Sequence, residues 1–220
     1  MQNIFASDCL LCGACSGREN ICGDCLSSLP YLPESRCRIC ANPCVGDLCG
    51  SCLARKPLFS RTLAIFSYEF PVDALIQSLK YRGNLALAST FANMLVHASE
   101  NFPKPDLFMP VPMHPARLRE RGFNQAQEMA RIVSRKTGIA MIECAKIRDT
   151  PSQTSLPWKE REKNVRNSFM LGRKLDGQHV AIVDDVLTTG STMNELSKIL
   201  LEKGAGETSA WVVARSVKSV

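Results

Sequence analysis

Val180-Ala181-Ile182-Val183-Asp184-Asp185-Val186-Leu187-Thr188-Thr189-Gly190-Ser191-Thr192 is the stretch whose reading decides the fold. Four consecutive apolar residues, Val180 to Val183, have the pattern of a strand buried on both faces of a parallel sheet. Two acids stand at its carboxyl end, and a loop with four hydroxyls and one glycine follows. Met193, Leu196, Ile199 and Leu200 then recur at helical spacing. This order predicts a sugar-phosphate site. A helix start offers unpaired N–H groups and a positive dipole end to an anion. Gly190 lets the backbone approach it closely, and Thr188, Thr189, Ser191 and Thr192 add hydroxyl donors. Asp184 and Asp185 can accept hydrogen bonds from neighbouring ribose hydroxyls or reach a magnesium ion held on phosphates.

Further along, the helix stops at Gly204-Ala205-Gly206, and Thr208 to Arg215 reads as a last parallel strand. His179, at the strand start, is expected to be structural. Upstream, Leu63 to Tyr68 predicts a strand. Val72, Leu75, Ile76 and Leu79 line one face of a helix that ends near Lys80-Tyr81-Arg82-Gly83, with Gly83 past its last turn. Lys80 and Arg82 beside an aromatic suit either an anionic ligand or simply the negative end of the helix dipole. A second helix is expected over roughly Leu85 to Glu100, with His97 on its surface. Leu107 to Pro112 predicts a short strand closed by prolines.

The residues from Met113 to Gln125 then turn into a helix. A restricted turn at a strand's carboxyl end is where open α/β sheets bind ligands. Arg117 and Arg121, four apart, share a helical face aimed at one anion, and His114 is a candidate phosphate donor. Ala126, Met129, Ala130 and Val133 form the buried stripe of the helix from Asn124. Ile139 to Ile147 predicts a further strand, with Cys144 as a core thiol. The polar stretch 148–178 is long for a compact domain, and such connections are usually functional. It predicts a lid over an anionic ligand, a charged helix at 158–167, or both. Successive strand–helix units predict an α/β fold with a parallel sheet flanked by helices.

Ten of the eleven cysteines lie between Cys9 and Cys52. They make four Cys-x-x-Cys pairs: Cys9/Cys12, Cys22/Cys25, Cys37/Cys40 and Cys49/Cys52. Two residues between thiolates let both point at one metal, and two such knuckles complete a tetrahedral zinc site. The pairs look like an internal repeat, so two structural zinc ions are expected. Each ribbon is too short to fold on an apolar core alone. Redox dithiol chemistry and an iron–sulfur cluster fit the spacing less well. The spacing leaves open whether Cys15 competes with Cys9 and whether the pairs interleave. Residues 1–56 are thus expected to form a double zinc ribbon, and residues 57–220 the larger domain.

The formal charge is +6. Residues 1–56 are balanced, with five basic and five acidic side chains. Arg117 to Lys174 carries 14 basic and six acidic residues. That excess suits a polyphosphate or a nucleic acid. No apolar run approaches the roughly 18 residues of a membrane span, and no secretion signal is visible, so a cytoplasmic protein is expected.

The 180–192 stretch, with Val183-Asp184-Asp185-Val186-Leu187-Thr188-Thr189-Gly190 at its centre, resembles the signature loop of type I phosphoribosyltransferases, which bind 5-phosphoribosyl-1-pyrophosphate (PRPP). With the Cys-Leu-Leu-Cys and Cys-Gly-Asp-Cys pairs, Lys80-Tyr81-Arg82-Gly83-Asn84 and Val111-Pro112 through Arg121-Gly122-Phe123-Asn124-Gln125, the whole chain resembles the ComF family. The resemblance implies that Thr188 to Thr192 hold the 5-phosphate and that Asp184 and Asp185 take the ribose hydroxyls. It implies a pyrophosphate loop at Val111–His114, including Pro112 and Met113, with Arg117 and Arg121 nearby. The segment after Arg148 would be the flexible lid, with Arg148 itself among the PRPP-binding residues, and magnesium would accompany PRPP. It also implies a role in natural transformation or the use of external DNA. Single-stranded DNA and a helicase or DNA-processing factor are the expected partners. It does not extend to a nucleobase loop after the last strand, where this chain has Arg215-Ser216-Val217-Lys218-Ser219-Val220.

Overall fold

A computed structural model describes residues 7–16, 20–148 and 168–217. The central sheet has four parallel strands in the order β1 (Arg61–Ser67), β6 (Glu207–Arg215), β5 (His179–Leu187), β2 (Leu107–Pro110). The two continuous apolar runs, Val180–Val183 and Ala210–Ala214, occupy the middle because only central strands are covered on both faces. Met109 pairs with Ile182, and Ile182 with Ala210.

Period-two alternation divides the core into two layers. Ala181, Val183, Phe108, Trp211 and Val213 face α3 (Val72–Arg82), α4 (Ala86–Ala98) and α6 (Gln125–Thr137). Val180, Ile182, Met109, Ala210 and Val212 face the other way, towards α7 (Ser191–Glu202) and Phe59. The helical stripes match expectation: Leu75, Ile76 and Leu79 in α3, and Met129, Ala130 and Val133 in α6, are all buried. Gly206 is required where the chain returns to β6, since a Cβ there would stand 2.3 Å from the carbonyl oxygen of Gly177.

The cysteine-rich segment, with short helices α1 (Gly23–Ser27) and α2 (Gly50–Ala54), packs against both layers. Cys9, Ile21 and Leu29 join the α3/α4 side, whereas Cys37, Ile39, Cys49 and Cys52 join the α7 side. The chain crosses between them along the outer edge of β1. Leu32 N–H donates to Ile65 at 2.9 Å and Ser67 N–H donates to Pro30 at 2.7 Å. An otherwise unpaired sheet edge is thereby covered.

Two expectations change. The strand expected over Ile139–Ile147 is broken. Its first part makes one parallel bridge, Met141 to Phe108. The chain then leaves as β3 (Ala145–Lys146), which pairs antiparallel with β4 (Phe169–Met170). The neighbour β2 is only four residues long and ends at Pro110, which has no N–H to offer, so the ladder stops early. Conversely, β5 does not end before its acids but runs on to Leu187. The reason is that β6 continues to Arg215 and supplies partners for Val186 and Leu187. The helix expected at 158–167 and the lid residues 149–167 lie outside the described residues.

Candidate functional site

The carboxyl ends of the parallel strands open into one cleft. It is lined by the loop after β2 (Val111, Pro112, Met113, His114), by Arg117, Arg121, Asn124 and Gln125, and by Asp184, Asp185, Thr188 and Thr192. Tyr68, Lys80, Tyr81, Lys146 and Phe169 complete it.

Because both acids sit on a strand, successive side chains point to opposite faces. Asp185 turns to the α3/α6 side and is buried. Its Oδ1 accepts from Lys80 Nζ at 2.6 Å and its Oδ2 from Gln125 Nε2 at 2.7 Å. Gln125 Oε1 in turn accepts from Arg121 at 3.0 Å. The Arg121 guanidinium lies over the Tyr81 ring, 5.2 Å from its centroid. Burial alone would lower the Lys80 pKa, but the Asp185 carboxylate outweighs it and holds the pKa above the ordinary lysine value. Asp184 is different. Burial, then the neighbouring Asp185 charge, push its pKa up to about 7, against partial relief from Lys80, its bond from the Asp185 N–H and Lys146. One acid is thus locked as an ion pair, and the other is poised to lose a proton near neutrality.

The loop after β2 is held from below. Asn124 Nδ2 donates to the Val111 carbonyl at 3.0 Å, while its Oδ1 caps α6 through the Ala126 N–H. His114 caps α5 (Pro115–Arg121): its Nδ1 accepts from the Ala116 N–H at 3.3 Å. An accepting Nδ1 puts the neutral ring's proton on Nε2. Arg117 and Arg121, on α5, both reach the cleft wall, as their spacing predicts.

The loop after β5 turns at Gly190, whose φ of 78° is left-handed and whose Cβ position is 3.5 Å from Phe59. Thr189 Oγ1 accepts from the Ser191 N–H at 3.1 Å. The half-buried hydroxyls of Thr188, Thr189, Ser191 and Thr192 therefore surround the start of α7.

The cysteines form two groups, Cys9/Cys12/Cys22/Cys25 and Cys37/Cys40/Cys49/Cys52, each with its sulfurs within 4.8 Å of one another. Pairs are therefore consecutive rather than interleaved, and Cys15 and Cys44 stand outside both groups. A tetrahedral ion with metal–sulfur bonds of about 2.3 Å needs sulfurs about 3.8 Å apart. The Cys12–Cys22 and Cys40–Cys49 separations are 3.7 and 3.6 Å, so both donor sets fit such an ion. The N–H of Cys22 is the main cause that lowers Cys9 to about 6. Hydrogen bonds from the Cys12 and Cys22 thiols push Cys25 up to about 12. A cation at the centre would be needed to hold all four sulfurs as thiolates at these separations.

Residues 104–218 match the family model for the phosphoribosyl transferase domain. The chain is 31% identical to Competence protein F of Haemophilus influenzae, over 98% of this chain and 100% of that protein. It is 31% identical to the DNA utilization protein YhgH of Escherichia coli K12, over 91% of this chain and 92% of that protein. It is 24% identical to Competence protein ComFC of Streptococcus pneumoniae, over 89% and 87%. The chain belongs to the ComF family. Its fold is that of a type I phosphoribosyltransferase, with two four-cysteine clusters that fit the family's double zinc ribbon.

For this ComF chain, the sequence-predicted residues Pro112, Met113, His114, Arg117, Arg121, Asp184, Asp185, Thr188 and Thr192 all line one cleft. Thr189, Gly190 and Ser191 make the turn between the last two. Arg148 does not join them: it is exposed, at the final described position before residue 149. Lys80 lines the cleft while Arg82 stays exposed outside it. Gln125 and Arg215 were missed. Gln125 reads from the sequence as an ordinary first-turn helix residue. Arg215 reads as the charged end of an apolar strand, a signal visible only as a lone cation after Trp211-Val212-Val213-Ala214.

Proposed function

We propose that this protein binds PRPP with magnesium in the cleft and serves the uptake or use of external DNA from the cytoplasm. The convergence of the acid pair, the hydroxyl loop and the 111–121 turn on one cleft carries this reading. The Thr188–Thr192 loop and the start of α7 take the 5-phosphate. Pro112, Met113 and His114, with Arg117 and Arg121, take the pyrophosphate. Asp184 takes the ribose hydroxyls, with Asp185 behind it. In a transfer reaction the bond from ribose C1 to pyrophosphate breaks and an acceptor bonds to C1. Asp184 and Asp185 stabilise the positive charge that develops on the ribose. Asp184 is the residue that would hold a magnesium ion carried on PRPP, and that ion would supply charge neutralisation for the departing pyrophosphate. Each four-cysteine cluster holds a structural zinc ion, so residues 1–56 act as a zinc-dependent double ribbon and 57–220 as the phosphoribosyltransferase domain. The Haemophilus relative's name, Competence protein F, supports the DNA role. Among the described residues no helix is long and apolar enough to cross a membrane.

Calorimetric titration of PRPP with magnesium into wild type and the Asp184→Asn/Asp185→Asn variant tests the reading. Heat from wild type that the variant loses supports it; no heat from wild type overturns it. Pyrophosphate release on screening acceptors separates a transferase from a binding protein.

A second reading, a non-catalytic adaptor for single-stranded DNA and a helicase or processing factor, is favoured by the cleft rim. Arg119 is exposed beside Arg117 and Arg121, and Tyr81 is 64% exposed with a guanidinium against its ring. Such a platform suits a base stacked next to its phosphate. Salt-dependent binding of an oligonucleotide, weakened when all three arginines are replaced, is the expected result. No binding at low salt eliminates it.

A further inference from the structure

Arg215 ends β6 and is 7% exposed. Its Nε donates to the carbonyl of Cys40 at 2.8 Å. Its Nη1 donates to the carbonyls of Leu187 at 2.9 Å, Thr188 at 2.5 Å and Ser216 at 2.6 Å. All four acceptors are backbone oxygens, and among the described residues no carboxylate pairs with it. Burying a guanidinium costs desolvation free energy, which these four backbone acceptors partly offset while fixing the direction of the fork. Here it joins the peptide of a cysteine in the second cluster to the two residues that open the hydroxyl loop.

Two more contacts run in parallel. The N–H of Leu58, just after α2, donates to Asn194 Oδ1 in the first turn of α7 at 2.8 Å. Phe59 shares a core with Cys37, Cys49 and Cys52 and lies against Gly190. The hydroxyl loop is therefore backed by the second cysteine cluster through a rigid fork and a packed ring. The first cluster packs on the opposite layer, against α3 and α4.

We propose that metal in the second cysteine cluster sets the affinity of the hydroxyl loop for the phosphate of its ligand, with Arg215 as the positioning residue that couples them. Arg215 holds the Leu187 and Thr188 carbonyls back, so the loop's N–H and hydroxyl groups face the cleft. Without a metal the Cys40 peptide is no longer fixed, and the fork that aligns the loop loses its anchor. The coupling rests on the reading of the cleft as a PRPP site. Being an equilibrium linkage, it works in both directions: PRPP must tighten metal binding by the factor by which metal tightens PRPP.

The test measures partition of zinc between the full-length zinc-loaded protein and a chromophoric chelator at equilibrium, with and without saturating PRPP and magnesium. The two sites are told apart with Cys12→Ser, which disables the first cluster. PRPP is expected to raise zinc affinity at the second cluster about fivefold or more and leave the first unchanged. Arg215→Lys keeps a charge but lacks the planar fork, and is expected to lose most of that difference. The wild-type comparison shows whether PRPP changes zinc affinity at all, and folded Cys12→Ser assigns the change to the second cluster. Calorimetric heat from PRPP with no change in zinc partition, or an equal change at both clusters, overturns the coupling and leaves the PRPP reading standing. An undiminished effect in folded Arg215→Lys overturns the role of Arg215. No PRPP heat overturns both.

Discussion

Replacing Lys80 with methionine removes one half of the ion pair on which the acid pair depends. The Lys80 side chain is 15% exposed and that of Asp185 is 4% exposed, with their charged atoms 2.6 Å apart. Methionine keeps most of the stem's packing, so the change isolates the charge. Among the described residues, Asp185 would keep one side-chain partner, Gln125 Nε2, and lose the one cation that touches it. Removing one partner of a buried pair costs about 3–5 kcal/mol, because the other charge is left without compensation. The Gln125 bond and the cleft's opening to solvent put this site at the lower end, about 3 kcal/mol. For a chain of this size that corresponds to a fall in Tm of about 6–12 °C. Scanning calorimetry of zinc-loaded Lys80→Met, Asp185→Asn and the double variant measures it. The double variant should recover about 2 kcal/mol over the sum of the single changes, since it leaves no buried orphan charge. Asp184 should also titrate at higher pH in Lys80→Met, because Lys80 is one of the charges that restrain its upward shift. A loss under about 1 kcal/mol, or strict additivity in the cycle, would refute the argument that this pair is an internal, desolvated unit.

Asp184 gives a pH signature with two opposite slopes. Its native pKa of about 7 is above the roughly 3.9 of an unfolded aspartate. The native state therefore holds the extra proton between these values, and folding stability falls as pH rises from about 4 to 7. Affinity for PRPP with magnesium should rise over the upper part of that window as the carboxylate forms, by up to about tenfold per unit. Asp184→Asn should flatten the affinity profile and raise Tm at pH 8; an unchanged pH profile for both would contradict the assignment. Gly190→Val should impair folding or ligand binding, because φ of 78° strains a branched residue and Phe59 leaves room for little beyond a Cβ. A loss of about 1–3 kcal/mol in denaturant unfolding is expected; a neutral result would contradict the left-handed turn.

The sequence by itself determined the order of elements, the parallel class of the sheet, the Cys-x-x-Cys pairs and most of the residues that line the cleft. These depend on local signals. Val180–Val183 is legible because a strand buried on both faces must be apolar throughout. Gly83, Gly122 and Gly138 end helices at left-handed positions that disfavour side chains. Cys-x-x-Cys pairs are legible because two ligands of one ion must be adjacent. The tertiary structure alone decided what depends on distant partners. Asp184 and Asp185 are chemically identical neighbours in sequence. They become unlike only when Lys80 and Gln125 approach one of them from α3 and α6 across the fold. Consecutive rather than interleaved clusters, the early departure of the 139–147 segment from a proline-ended strand, and the attachment of Arg215 to Cys40 are of the same kind. Each is set by which groups meet in space, and the interval between Cys40 and Arg215 along the chain carries no trace of it.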